Sequence, residues 1–288
     1  MNIIETGDRA RAKPTATIEL VHGAWADGSS WNKVVPLLLA KDRPVIAVQI
    51  PLTSLANDVA ATKRIIADID GPIVLVGHSW GGMAITQAGT DAKVAALVYA
   101  SAFAPDISKT GSGMIRAYLT PPALSTIVSD SAGFVYQTTD GVLQNIAPDI
   151  APTDARVLAV TQRRLAGKAF TESASVVAWE TKPSWFIITT DDRVVGVELQ
   201  TAEARRMNAK TTRLASSHMS LVSHPSGEAG LPTRRHTNRL DQTIEALQAT
   251  HAPTVRGVQA PLVQAIGCVR RGRLTPVRRC NPAHCWAR

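Results

Sequence analysis

No cysteine occurs before Cys268 in this 288-residue chain, and Cys268, Cys280 and Cys285 form no C-x-x-C pair. A disulfide frame is therefore excluded for most of the chain. His284 beside Cys285 only loosely suggests zinc, so the three are read as free thiols. Long apolar runs are also missing. The longest, near Val94 to Pro105, is too short to span a bilayer. The opening "MNIIETGDRARAKPTAT" has no apolar stretch long enough for a secretory signal, so a cytoplasmic location without a membrane partner is expected. No internal repeat is visible.

Charge is scarce in one place and crowded in another. Residues 231–288 hold ten arginines, no lysine, and only Asp241 and Glu245 as acids, which accounts for the whole formal net charge of +8. Residues 1–230 are thus formally neutral, and the chain reads as a 1–230 domain followed by a basic tail, 231–288. Arginines can neutralise phosphates, but Trp286 alone offers a base-stacking surface there, so a solvated appendage is expected rather than a nucleic-acid arm. At 45% hydrophobic and 19% charged residues, the rest suits one globular core.

Within that domain, strand-like and helix-like patterns alternate. Ile18–Val21, Val45–Val48, Ile73–Val76, Ala95–Tyr99, Trp185–Thr189 and Thr211–Ala215 are short β-branched or aliphatic runs, and they predict buried parallel strands. Between the second and third, Leu55, Val59, Thr62, Ile66 and Ile69 recur at helical spacing behind Ser54, a residue able to cap the helix. Repeated βαβ units give an α/β fold, a doubly wound, mostly parallel sheet whose sites lie beyond the carboxyl ends of the strands. Residues 106–180 break the rhythm and are expected to form a small helical cap over the site.

The stretch "VLVGHSWGG" sets Ser79 between Gly77 and Gly81 directly after a predicted strand, with a helix expected from Trp80. G-x-S-x-G in that setting is a nucleophile elbow. A serine hydroxyl needs a histidine to take its proton and a carboxylate to orient the histidine. Asp191 and Asp192 follow one later strand, and His218 follows the next.

With "LVHGAWADGSSW" (20–31), "TTDDRVV" (189–195) and "SSHMSLVSHP" (216–225), the chain resembles the α/β-hydrolase superfamily. Within it, the likeness is to the small cofactor-free serine esterases related to plant methylesterases and hydroxynitrile lyases. The resemblance covers roughly residues 15–225. It implies Ser79 as nucleophile, Asp192 as acid and His218 as base, with the backbone N–H groups of Ala24 and Trp80 forming an oxyanion hole. It also implies a small-molecule ester substrate, no cofactor and no metal.

Alternatives remain at two of these positions. Asp191 and Asp106 compete with Asp192, and His224 competes with His218. Position in "TTDDR" favours Asp192, and proximity to the strand end favours His218. His22 and His78 are read as structural, Asp27-Gly28 as a turn, and Trp25 and Trp31 as packing residues before pocket residues. The family closes with a helix beginning near Pro225, whereas "PSGEAGLPTRRHT" shows no helical apolar period; Leu240, Ile244 and Leu247 are a possible substitute. The expected function is carboxylic-ester hydrolysis through an acyl-enzyme. A hydroxynitrile-lyase-type reaction and a catalytically idle binding protein are the alternatives.

Overall fold

The computed structural model describes residues 15–229. Within them, six strands form one sheet: β1 (Thr17–Val21), β2 (Val45–Val48), β3 (Ile73–His78), β4 (Val94–Ala100), β8 (Ser184–Thr189) and β9 (Lys210–Leu214). Their order is β2-β1-β3-β4-β8-β9, and every neighbouring pair is parallel. Each expected strand is present, shifted by at most two residues at an end.

Burial follows position in the sheet. Every residue of β3, β4 and β8 is buried, because helices cover both faces of a parallel sheet's centre. The outer strands are less covered: β9 is mostly exposed, and β2 is largely half-buried. The crossover helix Leu55–Asp68 forms as its apolar spacing requires, and Ser54 Oγ accepts the Asn57 N–H at 3.1 Å as its cap. Helix Gly81–Ala88 is buried along its whole length, with Trp80 at its N-cap.

This connectivity fixes where a ligand can sit. The chain leaves β1 for β2 at one edge and returns to β3 on the other side of β1, so connections diverge above β1 and β3 and open a crevice there. The loops following β1 and β3 carry Gly23-Ala24 and Ser79 respectively.

The 106–180 insertion differs from expectation. It contains helices Gly111–Arg116 and Pro152–Thr161, but also a three-stranded antiparallel sheet of β5 (Ile127–Ser129), β6 (Phe134–Gln137) and β7 (Leu165–Ala166). β-Branched and aromatic residues dominate "TIVS" and "FVYQ". The turn between them is closed by Asp130 Oδ1, which accepts the N–H of Ala132 at 2.9 Å and of Phe134 at 3.0 Å. The cap is therefore mixed rather than helical.

A short helix, Pro225–Ala229, does start where the family's last helix would, and it buries Glu228 and Ala229. The basic tail, its three cysteines, and Leu240, Ile244 and Leu247 lie outside the described residues. Among the described residues, no helix is long and apolar enough to cross a membrane.

Candidate active site

Ser79 occupies the turn from β3 into helix Gly81–Ala88 with φ of 52°, a left-handed conformation that costs a serine roughly 1–2 kcal/mol. Glycines around it make the turn possible. A Cβ on Gly77 would lie 2.8 Å from the Gly81 carbonyl carbon, and one on Gly81 would collide with the carbonyl oxygen of Val21. The turn is pinned by the Ser79 N–H donating to Ala100 O at 3.1 Å, while Ser79 O accepts from Gly82 N at 3.0 Å and Phe103 N at 3.1 Å.

Asp192 follows β8, and His218 follows β9. The His218 Nδ1–H donates to Asp192 Oδ2 at 2.9 Å, and the two side chains are 4% and 0% exposed. In the neutral ring this tautomer makes Nε2 the acceptor. Asp192 is held firmly. Its Oδ1 accepts the N–H of Val194 at 2.8 Å and of Val195 at 3.0 Å. Its Oδ2 also accepts from Thr189 Oγ1 and Gln200 Nε2, both at 3.0 Å. Gln200 is fixed in turn, since its Oε1 accepts the Thr189 N–H at 3.0 Å and its Nε2 donates to Val195 O at 2.6 Å.

The competing residues sit elsewhere. Asp191 and His224 are exposed, and the His224 ring meets only its neighbour Ser223 Oγ, at 2.9 Å. The Asp106 carboxylate accepts the adjacent Ile107 N–H at 2.7 Å, a local turn contact.

The two other histidines among the described residues, His22 and His78, act as braces, as expected. His22 Nδ1–H donates to Gly23 O at 2.8 Å, and its Nε2 accepts the Ile50 N–H at 3.1 Å. Burial pushes its pKa down to about 4, so the ring is neutral. His78 Nε2–H donates to the backbone carbonyl of His218 at 2.9 Å, and the two rings lie 4.7 Å apart between centroids. Burial, aided by the nearby His218, holds His78 well below the usual histidine range. The residue preceding Ser79 therefore carries the backbone of His218.

Ser79, Ala24 and Trp80 line one narrow pocket with Trp25, Phe103, Ile115, Ala123, Leu124, Phe170 and Val194. A Cβ on Gly23 would lie 2.7 Å from Ser79 Cβ, so the loop holding Ala24 runs directly beside the serine. Among the described residues, the N–H groups of Ala24 and Trp80 donate to no protein acceptor, and Ser79 Oγ makes no hydrogen bond. The indoles of the pocket have spent their polar atoms on the protein: Trp25 Nε1 donates to Val135 O at 3.1 Å and Trp80 Nε1 to Asp58 Oδ2 at 2.8 Å. Trp25 thus lines the pocket, contrary to its expected packing role. Trp31 is fully buried and packs edge-on to His78. Among the described residues, no three His, Cys, Asp or Glu side chains are arranged to hold a metal ion.

The profile described as "Alpha/beta hydrolase family" matches residues 20–229. The chain belongs to the alpha/beta hydrolase family. Among family relatives, it is 26% identical to Methylesterase 2 of Arabidopsis thaliana over 216 residues, covering 63% of this chain and 80% of the relative. It is 31% identical to Salicylic acid-binding protein 2 of Nicotiana tabacum over 122 residues, 34% of this chain and 44% of that one. Two solved alpha/beta hydrolase structures share the fold. Polyneuridine aldehyde esterase matches with a TM-score of 0.66 at 18% identity, covering 76% of this chain and 98% of its own. A pyrethroid hydrolase from Sphingobium faniae JZ-2 matches with a TM-score of 0.67 at 20% identity, covering 81% and 100%.

Four residues of this family member's site escaped the sequence reading: Asp58, Asp149, Thr189 and Gln200. Asp58 had a visible signal. It is a carboxylate three residues after Leu55 and four before Thr62, inside the buried stripe of its helix, where burial raises its pKa to about 6. Asp149, Thr189 and Gln200 are tied to the site only by tertiary contact.

Proposed function

We propose that this protein is a serine hydrolase that cleaves carboxylic esters of small molecules through an acyl-enzyme. Ser79 Oγ attacks the ester carbonyl carbon as its proton passes to His218 Nε2. The oxyanion takes the free N–H groups of Ala24 and Trp80. Collapse expels the alcohol, which receives the proton from His218. Water then attacks the acyl group with His218 as base, releasing the acid and restoring Ser79. Asp192 stabilises the imidazolium at each step.

The observation that carries this reading is the buried 2.9 Å bond from His218 Nδ1 to Asp192, which leaves Nε2 ready to accept a proton at the sheet edge from which Ser79 rises. The left-handed backbone of Ser79 supports it, because such strain persists where function uses it. Among the described residues, Ser79 is the one lining side chain whose polar atom is unspent, and such a lining suits an uncharged, apolar part of the ester.

The test is to treat the full chain with a fluorophosphonate, locate the adduct by peptide mass, and analyse products from a p-nitrophenyl ester and from a cyanohydrin. A Ser79 adduct with ester turnover that disappears in Ser79→Ala is expected. An unlabelled chain would favour an idle binding protein, and cyanide release without ester turnover would favour the lyase.

A further inference from the structure

The base of the proposed triad is held from a direction the triad itself does not supply. Asp149 belongs to the cap insertion, just after the turn of helix Val142–Ile146. Its carboxylate reaches the loop between β9 and His218. Asp149 Oδ2 accepts the Ser217 N–H at 2.9 Å and the Ser216 hydroxyl at 3.0 Å, and Oδ1 accepts the Ser217 hydroxyl. The cap thus supplies acceptors to two consecutive residues immediately before His218.

We propose that Asp149 is a positioning residue through which the cap fixes His218 in register with Ser79. The inference rests on the serine-hydrolase reading above. His218 is then secured at three points: its ring by Asp192, its carbonyl by His78 Nε2, and the N–H of the preceding residue by Asp149. The first two anchors come from the sheet edge. Only the third comes from the element that carries Ile115, Ala123, Leu124 and Phe170 into the pocket.

The chemistry of the contact suits a clamp. A carboxylate can accept all three donors at once, whereas an amide offers one acceptor oxygen and would turn its NH2 toward a hydroxyl or an N–H. Burial works to raise the Asp149 pKa, but the hydrogen bonds from Ser217 and Ser216 outweigh it and hold the group below its ordinary value. The clamp therefore stays charged at neutral pH. Its loss would release the loop on which the base is mounted, and small displacements of a catalytic group lower turnover steeply.

The test compares Asp149→Asn, Ser217→Ala and the double variant with the wild type in the full chain, using p-nitrophenyl butyrate for kcat and KM, fluorophosphonate inactivation rates, and thermal midpoints. In Asp149→Asn, kcat and the inactivation rate should each fall by about 10- to 100-fold while KM moves by less than about threefold. The double variant should be little worse than Asp149→Asn, since Ser217→Ala removes only one of the three contacts that Asp149→Asn already disturbs. Folded Asp149→Asn that reacts within about twofold of wild type, or additive losses, would overturn the clamp. Should Asp149→Asn fail to fold, the Ser216→Ala/Ser217→Ala double variant, which removes two of the three donors, takes its place, and an unchanged kcat and inactivation rate there would overturn the clamp. Ser79 labelling of the wild type with an indifferent Asp149→Asn sinks the clamp alone, whereas absence of wild-type labelling sinks the serine mechanism and the clamp together.

Discussion

Replacing Asp192 by asparagine keeps the side chain's shape and shows how much depends on its charge. The carboxylate accepts five hydrogen bonds, two on Oδ1 from Val194 and Val195 and three on Oδ2 from Thr189, Gln200 and His218. An asparagine that keeps its oxygen toward Val194 and Val195 turns its NH2 toward Gln200 Nε2, which is itself committed as a donor, and toward His218 Nδ1. It then donates to Nδ1 and drives the His218 proton onto Nε2, where it blocks the base. The flipped amide instead opposes its NH2 to two backbone N–H groups. Each unmade buried bond costs about 1–3 kcal/mol, so the thermal midpoint should drop by several degrees in either orientation. Turnover should fall by about 10⁴ from the reversed tautomer. Asp192→Ala lacks the tautomer bias and should be no worse in kcat, which separates the tautomer effect from lost charge. The assay is kcat on a p-nitrophenyl ester, normalised to fluorophosphonate-titratable sites, with melting curves alongside. Turnover of Asp192→Asn within about tenfold of wild type, or a deep loss from Asp191→Asn instead, would refute the reasoning.

Two further outcomes follow from backbone strain and buried charge. Ser79→Gly and Ser79→Ala should both lose ester turnover, but Gly relieves the 52° φ, so Ser79→Gly should melt no lower than Ser79→Ala despite its greater unfolded-state entropy; a clearly lower midpoint would show the turn to be unstrained. Glu19 on β1 is fully buried with no hydrogen-bond partner among the described residues, and burial raises its pKa to about 8, as it does for Glu203. The folded carboxyls keep protons that the unfolded chain gives up near pH 4.5, so stability falls as pH rises through that window. Above pH 7, His22 and His78 are largely neutral folded or unfolded and oppose this trend little. The midpoint should decline from pH 7 to 8.5 and decline less in Glu19→Gln, and a flat or rising wild-type profile would contradict it.

Much of this architecture was legible because the chain repeats one physical pattern. The six parallel strands announced themselves as short aliphatic runs, and Leu55, Val59, Thr62 and Ile66 marked the crossover helix. The order of Ser79, Asp192 and His218 along the chain, each after a strand, was enough to expect them at one edge. The cap resisted this reading because β5, β6 and β7 have only two to four residues each, too few for alternation to outweigh neighbouring helical stretches. The supports of the site resisted it for another reason. Asp149 meets a serine 68 residues away, and His78 meets a carbonyl 140 residues away; no local spacing encodes such a pairing.

The pocket wall has two authors within one chain. Ala24, Trp25, Ser79, Trp80, Phe103 and Val194 come from loops at the sheet edge, whereas Ile115, Ala123, Leu124 and Phe170 come from the insertion. Among the described residues, none of those four is hydrogen-bonded to Asp192 or His218. Natural drift or a combinatorial library confined to those positions could retune which esters enter while leaving the reacting groups untouched. The indole of Trp80 permits no such freedom, because swapping it leaves Asp58 Oδ2 without its indole donor while Oδ1 keeps only the Leu52 N–H.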